Sequence, residues 1–559
     1  MLLGIDVGGT STDGVLIRNG ELEKEVKRPS SKEALMETIL EVLDELLEGS
    51  DPGAAQRLVI STTLVTNLLA TRSGARTALL LLPGRGLPHS FHRIAPDCYI
   101  LQGDVDFRGT ITEELSEEQA VAAIKDIRKK EICHIAVATK FSHRNRSLEQ
   151  SIAALIRRHH PDAAVTLGSD MADRLNFPRR AATAYYSAMT APQWHDFAGQ
   201  AAAAVKRRGL KTPVEILKAD GGTMPLAVSQ QRPLETAYSG PAASTMGAMA
   251  LGVQKENAVM IDLGGTTADI ALFIEGEPLR ASKGASIEGH LTHIPALALR
   301  SMALGGDCAL KIVDGDIEIG EREGPAACFG GNAATVTDAF NLYRDLEIGD
   351  AARSSKKITA LAATARMEPQ KLASAVVEGV LERLQLLIEG MFRQWEEEPA
   401  YKVWEVVHRR KFRLDRLLGV GAAAGMVVPL LAEKMGVDCT VHRIAPVANA
   451  LGAAVARPTL AVHLYADTQR KRYTIDQEGL EGAIEKPASF QLAEAEALAL
   501  RCLARLAEEK GAAAYAREAR IDLAEQFNMI RGWSRVGKIF QVRAQIAPGL
   551  IDEFKGVSG

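Results

Sequence analysis

The sequence predicts an α/β protein whose core is built twice, followed by a small α+β module. Three observations carry that expectation. The pattern Asp-x-Gly-Gly-Thr-x-x-Asp occurs at residues 6–13 and again at 262–269, each time flanked by apolar strand residues. Apolar runs of strand length alternate with segments of helical periodicity, the order of a layered α/β architecture. After Pro458 the composition changes, and alanine, leucine and glutamate begin to dominate. We therefore expect three units, over residues 1–175, 176–458 and 459–559.

The elements follow in order. Leu2 to Ile17 reads as strand, glycine turn, strand, and Arg18-Asn19-Gly20 suits a hairpin turn. Ser31 to Leu47 has helical spacing behind a serine start signal. Leu58 to Ile60 and Thr77 to Leu82 are apolar enough for buried strands. Ser116-x-x-Gln119 opens a helix to Lys130, and Ile132 to Ala138 returns as a strand. A long alanine-rich helix runs from Phe177 to Arg208, and a strand from Val214 to Lys218. Ala258 to Leu263 and Thr267 to Phe273 flank the second glycine turn, and Leu372 to Arg393 is amphipathic helix. Leu417 to Gly436 is a glycine-rich turn entering a helix. Gln491 to Arg517 is helical and Phe540 to Ile546 alternates like a strand.

Composition bounds the function. The 559 residues carry 66 basic and 70 acidic side chains, a net charge of −4, which gives no general attraction to nucleic acid or an anionic membrane. The short basic run His408 to Lys411 reads as solvated surface. Six scattered cysteines, at 98, 133, 308, 328, 439 and 502, form no Cys-x-x-Cys pair and suit a reducing compartment. Met1-Leu-Leu-Gly4 lacks the basic leader of a signal peptide, and apolar runs are far shorter than the roughly 20 residues of a membrane helix. The expectation is a cytoplasmic protein.

The repeated hairpin carries the chemistry. Consecutive glycines let backbone N–H groups approach an oxygen anion closely, and the threonine hydroxyl can donate to a phosphate. An aspartate at the strand end suits Mg²⁺, held largely through water because that ion keeps its hydration shell. Two such hairpins across a cleft would grip a triphosphate from both sides. No Gly-Lys-Ser/Thr loop and no G-x-G-x-x-G helix start is present, so Walker and Rossmann sites are disfavoured. The stretch Leu418-Gly-Val-Gly-Ala-Ala-Ala-Gly425 before a helix suits a flat base or ribose, although close helix packing explains it equally well.

These features resemble the hydantoinase/oxoprolinase family, specifically its ATP-binding A-type subunit. The resemblance extends to Ser61-Thr-Thr-Leu-Val-Thr-Asn67 with Arg72-Ser-Gly, to Asp220-Gly-Gly222, and to Ser239-Gly-Pro-Ala-Ala243. It continues through Leu304-Gly-Gly306, Gly324-Pro-Ala-Ala-Cys328, Thr335-Val-Thr-Asp338 and Pro446 to Ala454, covering roughly residues 2 to 456. The chain departs from the family pattern at Gly419 to Gly425, which lacks the usual proline, and at Asp307-Cys308, where glycine and serine are usual. The resemblance implies a duplicated actin-like (ribonuclease H-like) ATPase fold with an interdomain nucleotide cleft, using ATP and Mg²⁺. It further implies opening of unreactive cyclic amides such as hydantoins, 5-oxoproline or lactams, or carboxylation of ketones, together with a B-type subunit. Phosphorylating the carbonyl oxygen would activate such a substrate, a task of positioning and charge neutralisation.

Individual residues are then assigned. Asp6, Asp13, Asp262 and Asp269 are the candidate catalytic carboxylates, with Asp6 and Asp262 toward the metal. Asp13 and Asp269 either steer a nucleophile or cap the returning strands. Gly8, Gly9, Thr10, Ser11 and Thr12, with Gly264, Gly265, Thr266 and Thr267, are expected to bind phosphate. Gly305, Gly306, Gly419, Gly421 and Ala422 are expected to complete the nucleotide site. Thr63, Asn67, Asp220 and Gly221 are candidates for the substrate side, with Asp220-Gly221 equally an ordinary turn. Ser239 lies outside any Gly-x-Ser-x-Gly elbow and is not expected to be a nucleophile. The spacings His89/His92 and His290/His293 lack acids in register and read as surface or core histidine rather than a transition-metal site. Two other functions compete: an ATPase that remodels or reactivates another protein, and a small-molecule kinase. Assembly with a B-type subunit, with another protein or as a homodimer is left open.

Overall fold

The computed structural model describes residues 1–30, 35–86, 88, 93–172, 174–397, 412–475 and 480–557. The first sheet orders its strands Thr223–Pro225, Val214–Leu217, Arg57–Thr62, Leu2–Val7, Ser11–Arg18, Glu21–Pro29. Leu2–Val7 runs antiparallel to Ser11–Arg18 and parallel to Arg57–Thr62. The second sheet repeats this plan. Ala258–Leu263 runs antiparallel to Ala268–Ile274 and parallel to Arg416–Val420, which pairs in parallel with Asp438–Val441. Each sheet therefore has an antiparallel hairpin feeding a parallel extension, and the expected duplicated α/β core is present.

Local sequence explains the hairpins. Leu2–Val7 is buried throughout, as a central strand covered on both faces must be, and Ala258–Leu263 is buried apart from Asp262. At the far end of the first hairpin Asn19 and Gly20 both take positive φ, 54° and 88°, the two-residue turn that matches strand twist.

An insertion and a terminal module add to the two sheets. A parallel sheet of Ala164–Leu167, His134–Thr139, Thr77–Leu82 and Asp97–Ile100 stands between the fourth and fifth strands of the first sheet. Its own core includes Leu80, Ile124, Val137 and Ile152. Helix Phe177–Arg207 then leads back to Val214–Leu217, which pairs in parallel with Arg57–Thr62. A division at residue 175 therefore separates two strands of the first sheet from the rest of it. The reason is that the sheet is closed by strand pairing over a long insertion, which local composition does not record.

The C-terminal sheet orders its strands Leu480–Ala483, Arg472–Ile475, Leu460–Asp467, Ser534–Ile546, Arg520–Arg531, and helix Leu492–Glu509 packs on it. Its core is continuous with the first half: Leu2, Val15 and Ile17 join Val462, Leu503, Phe540 and Val542 in one cluster. The serine expected to start the first helix, His89, His92 and the run 408–411 lie outside the described residues. No described helix is long and apolar enough to cross a membrane.

Candidate functional site

The two glycine hairpins face each other across one cavity of about 690 Å³, ample for a nucleotide. It is lined by Asp6, Asp13, Asp262 and Asp269, by Gly8 to Ser11 and Gly264 to Thr267, and by Thr63, Gly306, Gly421 and Ala422. Each turn is closed in the same way: Gly8 N donates to Ser11 O at 2.9 Å, and Gly264 N to Thr267 O at 3.1 Å. The glycines keep the floor open. A Cβ on Gly9 would touch nothing, whereas one on Gly421 (φ 86°) would stand 2.4 Å from Asp262 Oδ1 and one on Gly306 2.5 Å from Thr337 Oγ1.

Register fixes the carboxylates. Asp6 lies directly opposite Asp13, and Asp262 opposite Asp269. Burial pushes the Asp6 carboxyl up to about 7, with the charges of Asp13 and Asp262 adding to it. Burial likewise raises Asp262, and raises Asp269 to about 7, the latter with help from Asp262. Asp6 Oδ1 is buried and without a hydrogen-bond partner. A Mg²⁺ ion suits this environment: it would favour the charged carboxylates and give Asp6 Oδ1 an electropositive neighbour. Among the described residues no three His, Cys, Asp or Glu converge as a closed metal cage. Asp6 and Asp262 would therefore share the ion with phosphate and water, the way Mg²⁺ is usually held.

The opposite wall is small and apolar. Ala422, Ala423, Gly425, Met426, Phe329, Leu346 and Ile348 line it, a surface for a flat base. Asp307 closes this side beneath the second turn: its N–H donates to Gly265 O at 2.8 Å, and its carboxylate accepts from Arg322 Nε at 3.0 Å and Ala326 N at 3.1 Å.

Several expected residues stand elsewhere. Thr12 is buried beside Ser30, with 2.9 Å between their hydroxyls. Gly305 and Gly419 support the site from beneath; Cβ atoms there would meet Gly265 C at 2.4 Å and Val441 Cγ2 at 2.7 Å. Asn67 is exposed and donates to Thr63 Oγ1 at 3.3 Å. Asp220 and Gly221 lie away from the cleft: Asp220 accepts from Gly222 N at 3.0 Å and from Thr459 Oγ1 at 2.8 Å, tying a turn to the start of the C-terminal module. Ser239 is fully buried and donates to Thr62 O at 2.9 Å.

Sequence reasoning missed Lys27, Ser244 and Asn449. Lys27 Nζ reaches Asp13 Oδ1 at 2.7 Å, Ser244 Oγ donates to Asp262 Oδ2, and Asn449 Nδ2 donates to Asp6 Oδ2 at 2.7 Å and Asp13 Oδ2 at 3.0 Å. A second cavity, of about 1090 Å³, adjoins the first and shares Asp269 and Pro241 with it. Tyr238, Arg280, Lys283, Arg300 and Ser301 are among its lining residues.

Known proteins are similar to this chain. The hydantoinase/oxoprolinase family model matches residues 180–462, and that of the family's N-terminal region matches residues 2–160. The caprolactamase subunit alpha of Pseudomonas jessenii is 25% identical over 479 residues, covering 78% of this chain and 67% of that protein. The acetophenone carboxylase gamma subunit of Aromatoleum aromaticum is 24% identical over 385 residues, covering 60% of this chain and 52% of that one. The chain thus spans between half and two thirds of these curated relatives. Among solved structures, nucleotide-free acetone carboxylase is similar with a TM-score of 0.74 at 18% identity, over 99% of this chain and 88% of that chain. The ATP-dependent caprolactamase from Pseudomonas jessenii gives 0.69 at 19% identity, over 97% and 87%. At such identities the likeness shows a shared fold.

Proposed function

This chain belongs to the hydantoinase/oxoprolinase family, and from that premise we propose that it is the ATP-binding subunit of an enzyme that activates a small cyclic amide. The observation that carries the proposal is the convergence of both hairpins, with all four aspartates, on one cleft that adjoins a second cavity at Asp269. ATP with Mg²⁺ would sit between the hairpins, its base against Ala422, Met426 and Ile348. The carbonyl compound would approach from the second cavity and meet the terminal phosphate near Asp269.

The chemistry assigns roles to the chain's own groups. An amide carbonyl is a poor electrophile, and transfer of a phosphoryl group to its oxygen makes the carbon open to attack. The N–H groups of both glycine turns, with Thr10 and Thr266, would hold and orient the phosphates. Asp6 and Asp262 would hold the ion, which when bound neutralises phosphate charge. Asp269, with a carboxyl near 7, is suited to give or take a proton at neutral pH.

A separate subunit would complete the reaction. The similar curated proteins are themselves named as subunits. The C-terminal hairpin exposes Phe527 and Ile530 along one strand and a fully exposed Trp533 at its tip, apolar side chains that a partner subunit could cover. Carboxylation of a ketone is the second reading, favoured by the carboxylases among the similar proteins.

The test is phosphate release by the purified chain with Mg²⁺, alone and with its B-type partner, scanned against hydantoins, 5-oxoproline and lactams. Stimulation by one cyclic amide that disappears in Asp262→Asn supports the proposal. Stimulation only by a ketone with bicarbonate supports carboxylation. Turnover indifferent to every small molecule would leave a protein-remodelling ATPase instead.

A further inference from the structure

A second group of polar side chains lies apart from the cleft, in the inserted parallel sheet. The strand order of that sheet reverses between Thr77–Leu82 and His134–Thr139. The chain leaves the first of these for Asp97–Ile100 on one side, and later leaves the second for Ala164–Leu167 on the other. In open α/β sheets the carboxyl ends of the strands at such a reversal are where ligands bind. Lys140 N donates to Leu82 O at 2.9 Å and joins those two ends. The loop that follows His134–Thr139 reads Lys140-Phe-Ser-His-Arg144-Asn-Arg146. None of its residues is among those lining the nucleotide cleft.

This corner holds buried donors with nothing to donate to. The hydroxyls of Thr139, Ser142 and Ser169 have no hydrogen-bond partner, in residues at most 3% exposed. Both ring nitrogens of His143 are buried and unpartnered, and so is Nε of Arg144. A buried polar group left unpaired costs stability, so such groups in folded proteins nearly always meet protein, water or an ion. The acids nearby are already engaged. Glu149 accepts from Thr139 N and from Ser169 N, each at 2.8 Å, and Asp170 pairs with Arg146. Asp467 Oδ1 accepts from Gln469 N at 2.9 Å and Arg470 N at 3.0 Å.

The surrounding charge is mostly positive. Arg180 and Arg144 act on His143, and Arg470 and Arg472 act on Arg144, with Asp467 opposing them. Cζ of Arg144 stands 3.3 Å from the centre of the Tyr465 ring, on strand Leu460–Asp467 of the C-terminal module. A guanidinium held on an aromatic ring keeps its fork of N–H donors for a carboxylate or phosphate. Surplus positive charge disfavours a metal cation here and favours an anion. We propose that this loop, with Thr139 and Ser169, binds a small oxyanion, a phosphate or carboxylate group, where the insertion meets the C-terminal module. Such a group offers only acceptors, and Arg144, the three hydroxyls and a ring N–H of His143 offer the donors. The inference is independent of what the cleft activates.

Calorimetric titration of the full chain with inorganic phosphate, sulfate and acetate tests this. Mg²⁺ with a non-hydrolysable ATP analogue fills the cleft, so that no added anion can stand in for a nucleotide phosphate. A single phosphate or sulfate should bind per chain, and acetate binding in their place would assign the site to a carboxylate. Arg144→Gln should weaken binding by about tenfold or more, the cost of a hydrogen bond to a charged group. Arg144→Lys, which keeps the charge and loses the fork, should recover only part of it. Ser142→Ala should weaken binding a few-fold. Because it removes a donor that has no partner, it should melt no lower than the wild type in anion-free buffer and gain less from phosphate. Absence of any bound anion, or binding that neither Arg144→Gln nor Ser142→Ala weakens, would overturn the proposal. So would a Ser142→Ala chain that melts lower without anion and gains as much from phosphate as the wild type, since the hydroxyl would then serve packing or bound water alone. A chain that binds no nucleotide would overturn the cleft reading only, and the anion titration would then be read on the nucleotide-free chain.

Discussion

The two hairpins have one backbone and two electrostatic environments. Both place an aspartate opposite an aspartate, and both close on a Gly N–H bonded to a carbonyl three residues on. Both also receive the chain entering the next helix in the same way: Thr63 N donates to Val7 O at 3.2 Å, and Ala423 N to Leu263 O at 3.0 Å. The third strand is where they part. Asp13 lies opposite Lys27, and Asp269 lies opposite Ser301. Two carboxylates about 5 Å apart repel by about 3 kcal/mol at an effective dielectric near 20, more than the roughly 1 kcal/mol a hydroxyl donor returns. The Lys27 ammonium at 2.7 Å from Asp13 supplies the missing counter-charge. Among the described residues no cation pairs with Asp269, and its carboxyl stays near 7. Duplication conserved the geometry, while one register position gave Asp13 a counter-charge that Asp269 lacks.

Replacing the second aspartate of each hairpin probes that division most strongly. Asp269→Asn should lower amide-stimulated turnover by about 10²–10⁴-fold, the range for losing a proton-transfer group, with ADP affinity little changed. Asp13→Asn should cost about tenfold or less, because half-exposed Lys27 can then turn to water. Steady-state kinetics with matched nucleotide titrations decide it. Equal losses in the two variants would mean that the hairpins work as equivalents.

Exchanging the third-strand residues is the next smaller change. Ser301→Lys should give Asp269 the partner that Asp13 has and bring its carboxyl down out of the neutral range. Turnover should then fall about tenfold at pH 7 and lose its alkaline limb. Lys27→Ser should instead weaken Mg²⁺–ADP and leave the pH profile of turnover in place. A pH–rate profile for each variant reads the outcome, and an unshifted limb in Ser301→Lys would break the comparison.

What could be foreseen follows the same line between local and cross-strand information. Asp-x-Gly-Gly-Thr-x-x-Asp is contiguous, and its chemistry needs those residues in that order, so the hairpins and their duplication were legible. So were Thr77–Leu82, apolar from Ala78 to Leu82, and Leu2–Val7, apolar apart from Gly4 and Asp6 and followed by a glycine turn. Lys27 stood in the ordinary alternation of an edge strand, and only its register opposite Asp13 makes it part of the site. Ser244 and Asn449 lay in alanine-rich helices, where a lone polar residue says little until the two copies are aligned. For Asp220-Gly221 the ordinary-turn alternative is the one the structure favours. The motif is contiguous, but it builds a turn with positive φ at Gly221 (82°) that Thr459 anchors.

Proton linkage gives a weaker effect that still separates the cleft from the rest of the molecule. Asp6 and Asp269 have raised carboxyls, so their contribution to stability is fully present below the unfolded value near 4 and is lost as pH rises through about 7. Thermal melts of the ligand-free chain should therefore lose stability between about pH 4 and 7 through this pair. Asp269→Asn should flatten part of the slope, and Mg²⁺–ADP should stabilise most strongly above pH 7, where the carboxyls are charged. Buried histidines outside the cleft act with the opposite sign. Burial lowers His143 to about 2 and His293 to about 3, with nearby arginines adding to it, and His463 is also depressed. Their contribution is present above the unfolded value near 6.5 and is lost as pH falls, by about 1 kcal/mol each at pH 5.5. His143→Gln should therefore remove a loss on acidification and Asp269→Asn a loss on alkalinisation, so the two variants should change the slope of stability against pH with opposite signs. If both variants changed the slope with the same sign, the cleft carboxylates and the histidines would have to titrate as one coupled network, and the raised carboxyls of the cleft would no longer explain the pH dependence.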